Sequence, residues 1–570
     1  MNKKRMQTWG LISLCILMLF VTACSGKDKS DNSSNNTNTN TTQNEGKTDN
    51  TNTQESTPNG AIDPLGKYDP PIEMTAVRAV SAGITFKDGE SIENNVWSRD
   101  YEERLGIKVK YLWTADDSDY DQKLNIAISS GGLADIMLVN ATQLKQMVDS
   151  DQAEDLTEVF EKYGSTLTKE IVRADKNQMS SVTFDGKMMA IPRSGSESDQ
   201  SHVLWVRADW LKKLNLPEPK TMQDVLKISE AFTKSDPDGN SKADTYGLAI
   251  TNTLHLSGSG SLKPFFNGYH AYVNHWIKDA SGKLVYGSVQ PEVKPALAKL
   301  QEMYLAGQLD KEFPVKDGGK VLEQLISSKI GMMYGPWYGA NYPLQMNKTE
   351  DPSADWRAYG IPSIDATPAK IQLDFPVSQY FVVRKGAKNP EAAVKMLNLM
   401  VDNAFSERAN IEKYFIDKDG FRYNNYALLF ISPVNANLQI HLNLKKALEN
   451  NDPSKLTIEE KGYYDVITAY RAGDNSAFRE EGKYGNVSAW PYVIEKLDNG
   501  LVQSQEFFGA PTATMSEKGA ILEKMMMETF TKIIMGESKI DEFDTFVNNW
   551  HKLGGDQITR EVNDWAAQRK

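Results

Sequence analysis

Only two cysteines occur in the 570 residues, Cys15 and Cys24. Cys15 sits inside an apolar leader, so a processed chain keeps one cysteine and has no intramolecular disulfide. Extracytoplasmic proteins commonly form disulfides, so a lone cysteine at this place points to another use. Beyond residue 24 no stretch is apolar enough to resemble a membrane span. No long basic run occurs, and 76 acidic residues against 64 basic ones give a formal charge of −12. That balance argues against a nucleic-acid partner. The zinc-protease His-Glu-x-x-His, the nucleophile-elbow Gly-x-Ser-x-Gly and the phosphate-loop Gly-x-x-x-x-Gly-Lys are all missing. His270 and His275 are five apart, off the four-residue spacing that stacks two ligands on one helix face, and read as separate polar or core histidines. A carboxylate pair at glycosidase separation stays open among so many acids, but it is weak ground for an enzyme, and none is expected.

What is present begins with an export pattern. Lys3, Lys4 and Arg5 form a basic head, residues 11–21 an apolar run, and Thr22-Ala23 lead into Cys24. The run is shorter than the roughly 18–20 residues a spanning helix needs. Val21-Thr22-Ala23-Cys24 resembles the lipobox of bacterial lipoproteins, with Val where Leu is commoner. That resemblance implies that Cys24 carries a diacylglyceryl group and becomes the mature N-terminus, with residues 1–23 removed. Loss of the three basic residues takes the formal charge from −12 to −15. Two acyl chains anchor stably where one is marginal. Residues 25–60 contain no aromatic or aliphatic side chain, so they cannot bury a core. As a flexible coil they would span roughly 30–35 Å. Residues 24–65 therefore read as a tether.

The remaining residues are globular in composition and sufficient for two or three lobes. Strand patterns at 72–77, 107–111 and 136–139 alternate with helical patterns at 96–105 and 119–128, which predicts an α/β sheet with crossover connections. Thr221 and Asp224 predict a capped helix over 222–232. Asn389-Pro390 predicts a cap and first-turn proline for a helix over 391–400. A further helix is expected over 516–535, stopped by Gly536.

Several signatures occur in a fixed order: Gly131-Gly132-Leu133-Ala134-Asp135-Ile136, Val206-Arg207-Ala208-Asp209-Trp210-Leu211, Gly331-Met332-Met333-Tyr334-Gly335-Pro336-Trp337, and Phe381-Val382-Val383-Arg384-Lys385-Gly386. With the closing Phe508-Gly509-Ala510-Pro511-Thr512 and Trp550-His551-Lys552-Leu553-Gly554-Gly555-Asp556, they resemble the family 1 extracellular solute-binding proteins of ABC importers. Within that family the likeness is greatest to the large lipoprotein branch that includes alginate-binding proteins. The resemblance implies an α/β, two-lobed periplasmic-binding-protein-like (type II) fold with hinge crossings and discontinuous lobes. The expected lobes are residues 66–195 with 375–440, and residues 196–374 with 441–570. It also implies capture of an oligosaccharide, an ABC permease as partner, action as a monomer, and a membrane location through the lipid. The rivals are a surface glycosidase or lyase, and the same fold binding a peptide or other solute.

Residue-level expectations follow. Sugar rings stack their C–H faces on aromatics and pair their hydroxyls with polar groups. Trp337 follows Gly335-Pro336, which breaks a strand, and the resemblance to maltose-type binders implies ligand contact there, with Tyr338 beside it. Trp205 and Trp276 are further aromatic candidates, though any Trp is more often core. Asp135 reads as a hydroxyl acceptor or a turn cap. Arg193 and Arg207 flank the expected hinge crossing and read as carboxylate binders, suited to a uronate, or as structural ion pairs. Asp236, Asp238, Asn240 and Asp244 fall at positions 1, 3, 5 and 9 of a loop, with Lys242 offering a carbonyl at 7, as in an EF-hand. Position 12 is Gly247 in place of the usual Glu, and Thr245 stands where some branch members carry an acid. The loop reads as a structural calcium site or as a solvated Asp-Gly turn.

Overall fold

The computed structural model describes residues 62–81, 84–87, 89–254, 258–417 and 421–569. Cys24, the leader and the tether through residue 61 lie outside the described residues. Apart from two short hairpins (Thr183–Phe184 with Lys187–Met188, and Trp276–Lys278 with Leu284–Tyr286), the strands are, in chain order, β1 (Ile72–Ala79), β2 (Ile107–Ala115), β3 (Ile136–Asn140), β4 (Ile191–Pro192), β5 (His202–Arg207), β6 (Tyr246–Leu248), β7 (Ile330–Pro336), β8 (Trp356–Tyr359), β9 (Ile371–Leu373), β10 (Gln379–Val383) and β11 (Val502–Ser504).

The first sheet has the order β2-β1-β3-β10-β4. β1 runs parallel to β2 and β3, joined by helices as crossover connections require. One such helix, Val96–Leu105, starts where Asn95 accepts hydrogen bonds from the Trp97 and Ser98 amides at 3.0 and 3.1 Å. It stops at Gly106, whose φ of 66° is left-handed and whose Cβ, were there one, would lie 2.4 Å from the Tyr68 carbonyl oxygen. β10 arrives from far along the chain and pairs antiparallel with both β3 and β4. The core on this sheet draws on residues from Tyr68 to Ile191 and from Val377 to Ile431.

The second sheet has the order β8-β5-β7-β6, with β5 antiparallel to β7 and β8, and β6 parallel to β7. Successive strand residues face opposite sides, and here each side carries its own core. Leu204 and Val206 pack with Met332, Tyr334 and the helices of residues 513–562. Val203, Trp205 and Met333 pack on the other side with Trp337, Trp356, Tyr484 and Trp490. β9 and β11 form a small parallel pair beside them. The fold is thus two-lobed α/β, with lobes discontinuous in sequence.

Two helix starts differ from the sequence reading. Asn389 does not cap its helix: Pro390 is the N-cap residue, no side chain caps it, and the helix Glu391–Phe405 extends a full turn past residue 400. The Ala513–Met535 helix begins three residues before 516 because Thr512 accepts from the Met515 amide at 3.3 Å.

Gly331 marks how closely the second sheet is covered. A Cβ there would lie 2.2 Å from a Phe232 ring carbon and 2.6 Å from Trp210. Both rings are buried, so Gly331→Ala is expected to lower unfolding free energy by about 1–3 kcal/mol. Urea unfolding of the two proteins checks this, and an unchanged midpoint would contradict it.

Candidate ligand cleft

Three chain crossings lie side by side between the lobes. Arg193 donates its backbone N–H to the Gln379 carbonyl at 3.0 Å, tying the outgoing crossing to the returning one. Ser194 donates its hydroxyl to the Ser432 carbonyl at 2.9 Å, tying in the third. Gly195 sits where a Cβ would lie 3.3 Å from the Pro376 carbonyl oxygen.

The outgoing crossing also holds the end of β7. Trp337 donates its backbone N–H to the Ser201 carbonyl and its indole Nε1 to the Asp199 carbonyl, both at 3.1 Å. Its ring packs on Trp490 at 4.9 Å and Tyr484 at 5.8 Å between centroids. Trp205 lies directly beneath, fully buried, donating Nε1 to the Pro336 carbonyl at 3.1 Å. Tyr338 stands edge-on to Trp337 at 5.6 Å and is 47% exposed, whereas Trp337 is 4% exposed. Aromatic pairs of this kind fix each other's orientation.

Trp337 and Tyr338 wall a cavity of about 900 Å³. Its other walls come from both lobes: Phe405, Phe415 and Phe430 from the first core, Tyr463 and Tyr484 from the second, with the amides of Asn424, Asn435, Asn437 and Asn443 between them. A second cavity, of about 510 Å³, opens on the first sheet and shares Asn424 and Phe430 with the larger one. Apolar rings interleaved with amides suit a ligand that has both C–H faces and many hydroxyls.

Arg193 lines the smaller cavity, open to solvent yet walled by protein, and donates Nη1 to Gln379 Oε1 at 2.5 Å. The other residues expected at a site lie elsewhere. Arg207 is buried at the end of β5 away from the cleft, paired with Asp209 at 2.7 Å and Asp351 at 2.8 Å, its guanidinium over the Trp210 ring at 4.6 Å. Asp135 precedes β3 at the end remote from Gln379. Burial works against its charge, but two hydrogen bonds from Thr75 and the pairing with Arg384 hold its carboxyl below the usual range. Trp276 is packed against Tyr286 and Phe507, in the core that holds Leu204 and Val206. His270 and His275 are apart in role: His270 meets Asp365, while buried His275 bonds to the Leu373 carbonyl and Gln372.

Asp199 was not foreseen. Its Oδ2 accepts from Asn437 Nδ2 at 2.7 Å, and its buried Oδ1 has no protein partner. Burial pushes the carboxyl up to about 6, against the pull of the Asn437 hydrogen bond. The signal in sequence was weak: an acid within the polar stretch of the expected crossing.

In the loop of residues 236–244, Asp236 accepts from the Asn240 and Ser241 amides, and Asn240 Nδ2 donates to Asp238 and Asp244 at 2.7 and 3.0 Å. Lys329 Nζ reaches Asp244 at 2.7 Å and Asp238 at 3.2 Å. Among the described residues no three His, Cys, Asp or Glu side chains converge as a metal cluster. The oxygen donors suit calcium in kind, but the ammonium of Lys329 lies against two of them.

A family model described as bacterial extracellular solute-binding protein matches residues 83–405, more than half of the chain, and the chain belongs to that family. Lipoprotein LipO of Bacillus subtilis (strain 168) is 23% identical over 484 residues, covering 81% of this chain and 87% of LipO. The polygalacturonan/rhamnogalacturonan-binding protein YtcQ of the same organism is 24% identical over 488 residues, covering 83% of this chain and 88% of YtcQ. A solved structure of the S. pneumoniae ABC-transporter substrate-binding protein FusA, an EF-hand mutant in complex with fructo-nystose, matches with a TM-score of 0.57 at 17% identity. It covers 87% of this chain and 99% of FusA, a likeness of fold.

The raised carboxyl of Asp199 makes a pH prediction. Its contribution to stability is full below an unfolded value near 4 and is lost as pH rises through about 6. Asp199→Asn, which does not ionise, should therefore gain on the unaltered protein between pH 4 and pH 7.5 by on the order of 2 kcal/mol. Denaturant melts across that range check it, and a constant gap between the two proteins would contradict it.

Proposed function

We propose that the chain is an extracytoplasmic receptor that captures an oligosaccharide between its lobes and delivers it to the membrane subunits of an ABC importer. The observation that carries this is the interlobe cavity of about 900 Å³, with Tyr338 half-exposed beside the clamped ring of Trp337 and five asparagine amides around it. Tyr338 offers a face to a sugar ring. The amides of the asparagines offer partners to its hydroxyls. The polysaccharide named for YtcQ and the fructo-nystose bound to FusA support a carbohydrate in this cleft.

The reading includes a monomer with lobes at 66–195 with 375–440 and at 196–374 with 441–570, and a lipid on Cys24. A tether of residues 24–65 keeps the receptor near its permease, at an effective concentration toward the millimolar range for a short flexible linker. It also includes structural calcium. Asp236, Asp238, Asn240, Asp244 and the Lys242 carbonyl would hold the ion, which would displace Lys329 from Asp238 and Asp244.

Binding and turnover are separated by one set of measurements. Calorimetry across an oligosaccharide panel should find a ligand that is recovered chemically unchanged, and Tyr338→Ala should weaken it about tenfold without lowering the melting temperature. Absence of binding across the panel, or cleavage of the sugar, would contradict the proposal. For the loop, added calcium should raise the melting temperature and a chelator lower it, more strongly so in Lys329→Met. A melting temperature indifferent to both would remove the ion from the account.

A further inference from the structure

The smaller cavity carries an imbalance of charge that the carbohydrate reading alone does not use. Arg78 lies near the carboxyl end of β1, paired in register with Thr114 of β2, and lines this cavity together with Arg193. Ligands of open α/β sheets bind outside the carboxyl ends of their strands. Arg78 donates Nη1 to the Tyr426 carbonyl at 2.7 Å and Nη2 to the Asn425 carbonyl. Two backbone carbonyls thus orient the guanidinium without neutralising it. Arg193 spends Nη1 on the neutral amide of Gln379. Neither arginine forms an ion pair with a carboxylate among the described residues, although the chain as a whole has an excess of acids. The acid in the same wall, Asp117, accepts from the Ser81 hydroxyl.

Each guanidinium has five N–H donors in a planar fork, so three remain on Arg78 and four on Arg193. Two like charges facing one confined space repel. Burial and the nearby charge of Arg78 both press Arg193 toward losing its proton. An anion between them reverses that repulsion and takes the free donors in charge-assisted hydrogen bonds. The cavity shares Asn424 and Phe430 with the cleft that Trp337 and Tyr338 line, so one extended ligand can occupy both.

We propose that Arg78 and Arg193 form an anionic subsite at one end of the cleft, which selects oligosaccharides carrying a carboxylate or sulfate group. This rests on the carbohydrate reading given above and narrows it to acidic glycans. Uronates and sulfated sugars share the chemistry, and the experiment separates them.

Calorimetry on the exported chain would use trisaccharides of galacturonate and of mannuronate, their methyl esters, and a sulfated galactose trisaccharide. The esters keep ring and linkage but remove the charge. At least one charged sugar should bind about tenfold or more tighter than its uncharged counterpart. That advantage should shrink as salt is raised. Arg193→Gln should lose about tenfold on the charged ligand and less than twofold on the ester. Arg78→Gln should behave alike, and if it fails to fold, Arg193→Lys, keeping the charge, should restore part of what Arg193→Gln loses. Which charged sugar binds assigns carboxylate or sulfate. Equal affinity for acid and ester, or equal losses on both in Arg193→Gln, would overturn the subsite and leave the carbohydrate reading standing. Binding of none of these sugars, nor of any neutral oligosaccharide, would overturn both.

Discussion

Where the chain leaves the first sheet, at Ile191–Pro192, it lies antiparallel to Phe381 and Tyr380, where it returns. Everything between, almost two hundred residues, hangs from two adjacent strands of one sheet. Exit and re-entry are thereby held within one strand spacing, about 4.8 Å. The Arg193 amide continues the pairing to Gln379, and the Ser194 hydroxyl adds the third crossing at Ser432. A hinge of so few residues leaves each lobe free to move as a body while its core stays packed. The small size of Gly195 beside Pro376 fits the same requirement for closely laid backbones.

The cleft inherits its rigidity from the second sheet. Trp205 reaches up from β5 to the Pro336 carbonyl, and Asp199 on the crossing holds the Trp337 indole through its own carbonyl. One wall of the site is therefore anchored to both the sheet and the hinge. Tyr338, one residue on, is left half-exposed by the same turn. A fixed ring supporting an accessible one pre-organises a surface for stacking, which lowers the ordering cost of binding. The opposite wall, with Phe405, Phe415 and Phe430, belongs to the other lobe, so the cleft is completed by the relation of the lobes.

Local features were legible in the sequence because their causes are local. The Thr221–Asp224 capping box, the stops at Gly106 and Gly536, and the apolar strand at residues 136–139 depend on neighbours a few positions away. The break expected at Gly335-Pro336 falls later: both residues stay in β7, paired with Val203 and His202, and the chain turns only from Trp337. What was illegible depends on distant chain. Arg207 has Asp209 two residues on, which hints at pairing, but its second partner, Asp351, is 144 positions away. Lys329 meets Asp238 and Asp244 from a separate strand region, so the ammonium beside the Asp-rich loop could not be read from that loop's spacing. Arg78, just past the strand pattern at residues 72–77, offered nothing to distinguish it from a solvated charge until the residues around 425 were seen to fold over it.

The central claim is that the lobes, joined at paired crossings, close over a sugar. Small-angle X-ray scattering of the chain, before and after saturation with an oligosaccharide shown by calorimetry to bind, tests it most directly. Closure about the hinge predicts a smaller radius of gyration with the sugar bound. An unchanged radius at full saturation would contradict it.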